Sequence, residues 1–293
     1  MRRRLAIVQA ETLDPNILGF RYNGQEVTPF LNRLRERSMY FRLLSTHALG
    51  SGDSDFTMLS GTFPATNIMN YSLPEFPYDR PLPKLLAASG YESWAFHGNT
   101  GGFYNRRQAF EKMRFDRIYF KEELDAEYGF VSDGIGVHDT DVLRLSSLGL
   151  RAAERPICHF VITLTSHTPY QFLRPDEQQI VPGATALWPR FLNSMRFLDN
   201  CLRDYVTSLG DEVTVVIYGD HPTERRFTEL PADRDGAKEF VPLLIYDARV
   251  DLSARQRTRD LPVATDGSLN FLDGVNYVRA QIASGPADPG ADE

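Results

Sequence analysis

The chain has 293 residues, 42% hydrophobic and 24% charged, enough to bury a substantial core as one large domain or as one domain with a small appendage. Its net charge of −7 and pI near 5.5 argue against a general nucleic-acid binder, which presents a basic face. The 2 cysteines, Cys158 and Cys201, stand in no CxxC or zinc spacing and read as buried free thiols. No run approaches the ~18 apolar residues of a membrane span, and no signal-peptide core follows Met1.

In chain order, Leu5 to Ala10 reads as a buried strand that ends at Glu11. Thr28-Pro29-Phe30-Leu31-Asn32-Arg33-Leu34 has the cap, the proline at the first turn and the apolar spacing of a helix start. A strand over 39–44 leads through Gly50-Ser51-Gly52 into a helix from about residue 54. The alternation continues with helix Leu82–Ala88, strand Tyr91–Phe96, helix Asn105–Lys112, a helix near Asp139–Leu148 and strand His159–Leu164. From Trp188 to Leu209, apolar residues at Phe191, Met195, Leu198, Leu202, Tyr205 and Val206 step by three and four and share one helical face. Val213–Tyr218 and Phe240–Tyr246 supply two more strands, and Pro242 places the latter at a sheet edge or at a strand start. Segments 171–187 and 284–293 are left without regular structure, the latter as an acidic tail; residues 1–283 read as one domain. This order is α/β: a mixed, mostly parallel central sheet with helices on both faces.

Ser51 sits on a strand-to-helix turn between two glycines, which permit a tight bend and close approach of another group. The following helix offers unpaired N–H groups and its positive dipole end to an anion, so this is a suitable place for a hydroxyl nucleophile. The competing reading is an ordinary N-cap serine. Three further polar groups follow apolar strands: Glu11, His167 and the pair Asp220-His221. The ends of strands in open α/β sheets are where sites are built. Together they offer oxygen ligands and one imidazole, a set suited to Mn²⁺ or Zn²⁺, with Mg²⁺ as a further choice.

Several runs in the same order resemble the extracellular domain of the lipoteichoic acid synthase family, phosphoglycerol transferases grouped with the sulfatase-like members of the alkaline phosphatase superfamily. They are Gly24–Arg33, Gly50-Ser-Gly-Asp-Ser-Asp-Phe56, Phe96–Arg106, Ile162–Tyr170, Arg196-Phe-Leu-Asp199 and Tyr218-Gly-Asp-His221, and they span about residues 5–246. The resemblance implies that Glu11, Ser51, Asp220 and His221 hold one divalent metal, Mn²⁺ first. It implies that Ser51 is the nucleophile, that His97, Arg106 and His167 line a phosphate pocket, and that Tyr104 lies beside a glycerol moiety. The chemistry agrees: a coordinated hydroxyl is a competent nucleophile, a guanidinium fork suits phosphate oxygens, and His167 can protonate a leaving alkoxide. Without the resemblance, Arg106 reads equally as a first-turn residue of an exposed helix and His97 as a core histidine at a strand end. His47, His138 and His159 match no motif.

The sequence departs from the family in having serine at 51 for threonine, Gly52 for serine and Asn99 for an acidic residue, and the fit weakens beyond Tyr246. The Cys/Ser-x-Pro-x-Arg signal for formylglycine is missing around Ser51, so an unmodified serine is expected. The resulting expectation is a metal-dependent phosphotransferase or phosphodiesterase acting on a phosphoglycerol-type diester through a covalent Ser51 intermediate. Its substrate is a lipid or glycan and its partners include no nucleic acid. The resemblance implies an extracytoplasmic setting, with surface association through an anchor outside this sequence. The alternatives are a sulfate- or phosphate-monoester hydrolase on the same scaffold, and a non-catalytic metal- or polyanion-binding domain.

Overall fold

A computed structural model describes residues 4–73, 76, 78–223, 227–230, 239–253 and 269–270. Eight strands form one sheet: β1 Arg4–Ala10, β2 Met39–Leu44, β3 Glu92–His97, β4 Arg117–Tyr119, β5 Ile157–Ile162, β6 Val213–Gly219, β7 Phe240–Asp247 and β8 Leu269–Asn270. Their spatial order is β8-β2-β7-β6-β1-β5-β3-β4. Every neighbouring pair is parallel except the two that β7 makes, with β6 and with β2. The sheet is therefore mixed and mostly parallel, and β1, β2, β3, β5 and β6 all end at the same edge.

Seven helices of seven or more residues cover the sheet among the described residues: α1 Pro29–Glu36, α2 Gly52–Ser60, α3 Leu82–Ala88, α4 Arg106–Met113, α5 Lys121–Tyr128, α6 Asp139–Ala152 and α7 Leu187–Leu209. Alternation along each strand divides the core into two layers. Ala6, Val8 and Ala10 of β1 join Val213, Val215 and Ile217 of β6 against Leu31 and Leu34 of α1, Val142 and Leu143 of α6, and the apolar face of α7. Leu5 and Ile7, with Val216 and Tyr218, face the other way onto Phe56 and Met58 of α2, Leu82 and Leu86 of α3, and Phe110 of α4. A sheet buried on both faces accounts for the near-continuous apolar runs of β1, β5 and β6.

Several local expectations shift for physical reasons. The fifth strand ends at Ile162, two residues before the expected Leu164, because Asp139 accepts the amides of Leu164 and Thr165 at 2.8 Å each. Thr28 makes no side-chain cap; its hydroxyl donates to the Ile17 carbonyl. The amides of Phe30 and Leu31 are bound instead by the carboxylate of Asp199 on α7, at 3.0 and 2.8 Å. The matching runs around residues 24–33 and 196–199 thus meet each other in a structural contact. Pro242 lies on an interior strand, contrary to the edge placement; pairing of β7 with β6 ends at Leu243–Tyr218, so its missing N–H falls beyond that ladder. β4 and α5 escape a periodicity reading because β4 spans 3 residues and α5 buries Leu124 alone. Segment 171–187 carries a single 3-10 turn, Pro175–Glu177, and residues 284–293 lie outside the described residues.

Candidate active site

Glu11 leaves the end of β1 and Asp220-His221 the end of adjacent β6, so the parallel register carries them together. Glu11, Asp220 and His221 are all buried, and one ligand atom from each lies within 4.8 Å of the others. Asp220 Oδ1 accepts the amides of Thr12 at 2.8 Å and His221 at 2.7 Å, whereas its Oδ2 is buried with no hydrogen-bond partner. Glu11 Oε1 accepts the Thr12 hydroxyl at 2.8 Å and lies 3.3 Å from His221 Nε2. His221 Nδ1 is 2.8 Å from the Pro222 carbonyl, which can only accept, so Nδ1 carries a proton; Nε2 faces two carboxylates, as a donor when the ring is protonated and through its lone pair when a metal takes the proton's place.

That arrangement calls for a positive charge at its centre. Burial, and then the charge of Glu11, push Asp220 up to about 8. Burial opposes ionisation of His221, yet the Asp220 and Glu11 carboxylates raise it to about 10. Glu11 moves the other way: burial works to raise it, and the bond to His221 with the charges of His221 and His167 hold it well below the usual carboxylate range. Proton or divalent cation, some positive species has to compensate two buried carboxylates. An unpartnered Oδ2, a second carboxylate and an imidazole nitrogen fixed by its own Nδ1–H bond are a donor set that fits a divalent metal.

Ser51 joins this cluster from the end of β2. The turn closes with Asp53 N–H on the Gly50 carbonyl at 3.0 Å and Ser54 N–H on the Ser51 carbonyl at 3.2 Å, which starts α2 two residues earlier than periodicity suggests. Ser51 is helical in conformation and makes no side-chain cap. Its hydroxyl donates to Glu11 Oε2 at 3.3 Å, so the ordinary N-cap reading is set aside. Gln9 supports the turn from below through Nε2 on the Ser51 carbonyl at 3.4 Å, and Tyr218 donates to Gln9 Oε1. Asp53 binds the amides of Ala48 and Leu49 at 3.0 and 2.8 Å, bracing the loop before the turn.

Tyr104 and the glycines explain each other. A Cβ on Gly50 would lie 2.2 Å from the Tyr104 hydroxyl, and one on Gly52 would meet the same ring at 3.2 Å. The aromatic ring therefore lies directly on the Ser51 turn, and glycine at 50 above all is what admits it.

Arg106 departs from the exposed-helix reading of the sequence. It is 1% exposed, which excludes an exposed-helix residue. Its Nε and Nη2 donate to the two oxygens of Asp55 at 2.9 and 3.1 Å, and Nη1 donates to His97 Nε2 at 3.3 Å. The fork that would grip phosphate oxygens is thus engaged by a buried carboxylate, leaving two of five N–H groups uncommitted. Burial opposes the guanidinium charge and Asp55 more than restores it, raising the pKa above the ordinary arginine value. His97 ends β3, donates from Nδ1 to the Ile162 carbonyl at 3.1 Å and is driven down to about 3 by burial and by Arg106. It is a neutral acceptor that orients Arg106.

His167 stands half-buried in the loop after β5, with Nδ1 2.6 Å from the Thr168 carbonyl. The loop is held by Ser166 on the Glu11 carbonyl at 2.8 Å, by Thr163 accepting the Glu11 amide at 2.8 Å and by Asp139.

Residues that sequence reasoning passed over include Thr12, Asp55 and His47. Thr12 is β-branched yet has φ 57°, an uncommon conformation held because its amide binds Asp220 and its hydroxyl binds Glu11. Asp55 was signalled only as a carboxylate inside a matching run. The His47 ring lies 4.4 Å from that of His221, tilted by 32°, a contact no motif announces.

Known proteins match this chain in sequence and in fold. The family model described as Sulfatase matches residues 5–264. Lipoteichoic acid synthase of Staphylococcus saprophyticus is 29% identical over 237 residues, which are 75% of this chain and 36% of that protein. The chain therefore spans about a third of the length of the curated relatives it matches. Among solved structures, the lipoteichoic acid synthase LtaP from Listeria monocytogenes superposes with TM-score 0.77 at 20% identity, over 98% of this chain and 73% of that one. Streptococcus pyogenes phosphoglycerol transferase GacH, solved with sn-glycerol-1-phosphate, gives TM-score 0.70 at 15% identity, over 98% and 81%. With a mostly parallel sheet whose strand ends carry the carboxylate cluster and the Ser51 turn, the chain belongs to the sulfatase family and is similar in sequence to lipoteichoic acid synthases.

Proposed function

We propose that the protein is a metal-dependent transferase of phosphoglycerol-type groups from a lipid or glycan phosphodiester, with residues 1–283 as one catalytic unit. The observation that carries this reading is the Ser51 hydroxyl, released from capping and directed at Glu11 in a buried cluster where Asp220 Oδ2 has no hydrogen-bond partner. Glu11, Ser51, Asp220 and His221 would hold one divalent cation, Mn²⁺ first and Mg²⁺ or Zn²⁺ as alternatives. When bound, the cation supplies the positive charge that favours ionisation of the Ser51 hydroxyl near neutral pH.

The chain's own residues do the rest. Ser51 Oγ, presented at the turn, forms a bond to phosphorus in line with the bond to the leaving alkoxide as that bond breaks. His167 delivers a proton to the departing oxygen. The uncommitted N–H groups of Arg106, held by Asp55 and His97, face the non-bridging oxygens, and Tyr104 packs beside the transferred glycerol. An acceptor hydroxyl, giving its proton to His167, then bonds to phosphorus as the bond to Ser51 Oγ breaks, which restores the starting state. A diester brings a single negative charge, which one divalent cation and a largely compensated arginine can balance; a near-dianionic monoester would be served poorly. The names of the synthase and of the transferase solved with sn-glycerol-1-phosphate support the same class of donor.

Brief incubation of the Mn²⁺-loaded protein with a phosphoglycerol lipid should add the mass of the transferred group to the intact chain, and Ser51→Ala should acquire none. Labelling that persists without Ser51, or faster turnover of a sulfate ester or phosphate monoester than of any diester, would overturn the assignment.

A further inference from the structure

Three loops surround the Ser51 turn, and they share a composition. Residues 45–52, 61–73 and 98–105 contain no Asp, Glu, Lys or Arg, in a chain that is 24% charged. They carry four of the seven large apolar side chains that stand exposed among the described residues: Leu49 at 44%, Phe63 at 53%, Ile68 at 40% and Phe103 at 43%.

Hydrogen bonds draw these loops to one mouth. Asp53, two residues into the turn, accepts the Leu49 amide on one oxygen at 2.8 Å and Asn70 Nδ2 on the other at 3.1 Å. Asn70 Oδ1 in turn accepts the Ala65 amide at 2.9 Å, pinning the loop whose tips are Phe63 and Ile68. Asn105 Nδ2 donates to the Tyr71 carbonyl at 2.7 Å, which ties in the third loop, and Phe103 packs 4.3 Å from the Tyr104 ring that covers the turn.

We propose that these loops form the face by which the protein docks on a lipid bilayer, with the four apolar tips set among the headgroups and the Ser51 mouth brought against a donor still resident in the membrane. The proposal rests on the diester-transfer reading and names where its donor is met. A headgroup phosphodiester lies at the boundary between water and acyl chains, so a site that reaches it needs a rim that tolerates that boundary. Exposed apolar side chains gain by entering it, whereas a charged rim would remain hydrated and hold the mouth away. With a chain charge of −7 and no cation in these loops, attraction to anionic lipid is not the source of binding. Docking by this face therefore requires no anionic lipid and persists at high salt. No helix among the described residues is long and apolar enough to cross a membrane, so the face acts by shallow insertion.

The test is flotation of the full chain with phosphatidylcholine vesicles, and with vesicles containing phosphatidylglycerol, at low and high salt. Wild type should float with the phosphatidylcholine vesicles at either salt, with no need of phosphatidylglycerol. Phe63→Ser/Ile68→Ser should reduce partitioning at least tenfold while leaving the melting temperature and the turnover of a water-soluble chromogenic diester unchanged. Wild type that stays with the soluble fraction would overturn the proposal and assign the face to a protein partner. Binding that requires anionic lipid and vanishes in high salt, or a double variant that floats like wild type, would overturn it too. Wild type that floats but turns over no diester would leave docking in place and refute the transfer chemistry, so the two failures are distinguishable.

Discussion

Replacing Arg106 by Met should unfold the protein far more readily, in addition to any loss of turnover. The side chain is enclosed, its ion pair with Asp55 is 2% and 0% exposed on the two partners, and both carboxylate oxygens are engaged at 2.9 and 3.1 Å. Removing the cation leaves the Asp55 carboxyl buried with the Tyr71 hydroxyl, at 3.1 Å, as its remaining side-chain partner, so it must either stay ionised without compensation or take up a proton that burial already favours. Breaking a buried pair in this way costs about 3–5 kcal/mol. Loss of the bond to His97 adds about 1 kcal/mol. Against a total stability of about 5–15 kcal/mol this is a large fraction. For a chain of this size, each kcal/mol lowers the melting temperature by about 2–4 °C, so the 3–5 kcal/mol for the pair alone predicts a fall of about 6–20 °C. The assay is thermal and urea denaturation followed by circular dichroism, on Arg106→Met and on Arg106→Met/Asp55→Leu. The double variant removes both charges and should recover most of the loss, because no uncompensated carboxylate remains. A single variant melting within 2 °C of wild type, as roughly the scatter between surface substitutions allows, would refute the structural assignment and return Arg106 to a purely substrate-facing role.

Two further outcomes follow from the same reasoning. Mn²⁺ should raise the melting temperature of wild type and not of Asp220→Ala, and Thr12→Ala, which frees Glu11 Oε1 from its hydroxyl partner, should weaken Mn²⁺ binding in calorimetry by about 10–100-fold; equal affinity would remove Thr12 from the site. Asp199 is pushed up by burial to about 6 even though it accepts two amides of α1. A carboxyl raised in the folded state contributes stability that is full below its ordinary value of 3.8 and is lost as pH rises through 6. Wild type should therefore lose stability relative to Asp199→Asn between pH 4 and 7, by ~3 kcal/mol at most, and a difference that stays constant across that range would refute it.

What a reader of the sequence could reach was whatever local periodicity and local turn chemistry encode. The apolar runs of β1, β5 and β6, the three-and-four spacing of α7 and the glycines flanking Ser51 each state their conformation within a few residues. Polar residues placed immediately after such strands, Glu11 and Asp220-His221, could be named as a group, since parallel strands carry their ends to one edge. Even the prolines were legible in part: Pro29 opens α1 as expected, while Pro242 left an edge position and a strand start both open, and only strand order, invisible from within a single strand, excluded the edge.

Partner identity across the fold belongs to the tertiary structure. Arg106 meets Asp55 across 51 positions and Asp199 reaches the start of α1 across 169, and nothing local distinguishes an arginine that will grip a ligand from one that will bury against a carboxylate. The same holds for Thr12, whose left-handed backbone is stable only once Asp220 and Glu11 stand where its amide and hydroxyl can bind them. Ser51 shows both levels at once: sequence alone put a hydroxyl on a glycine-flanked turn, and only the packing of that turn against β1 decided that it faces Glu11 instead of capping its own helix. The physical reason is range: backbone propensity and periodicity act within a turn or two of the chain. Charge compensation in a buried site depends on which strands lie side by side.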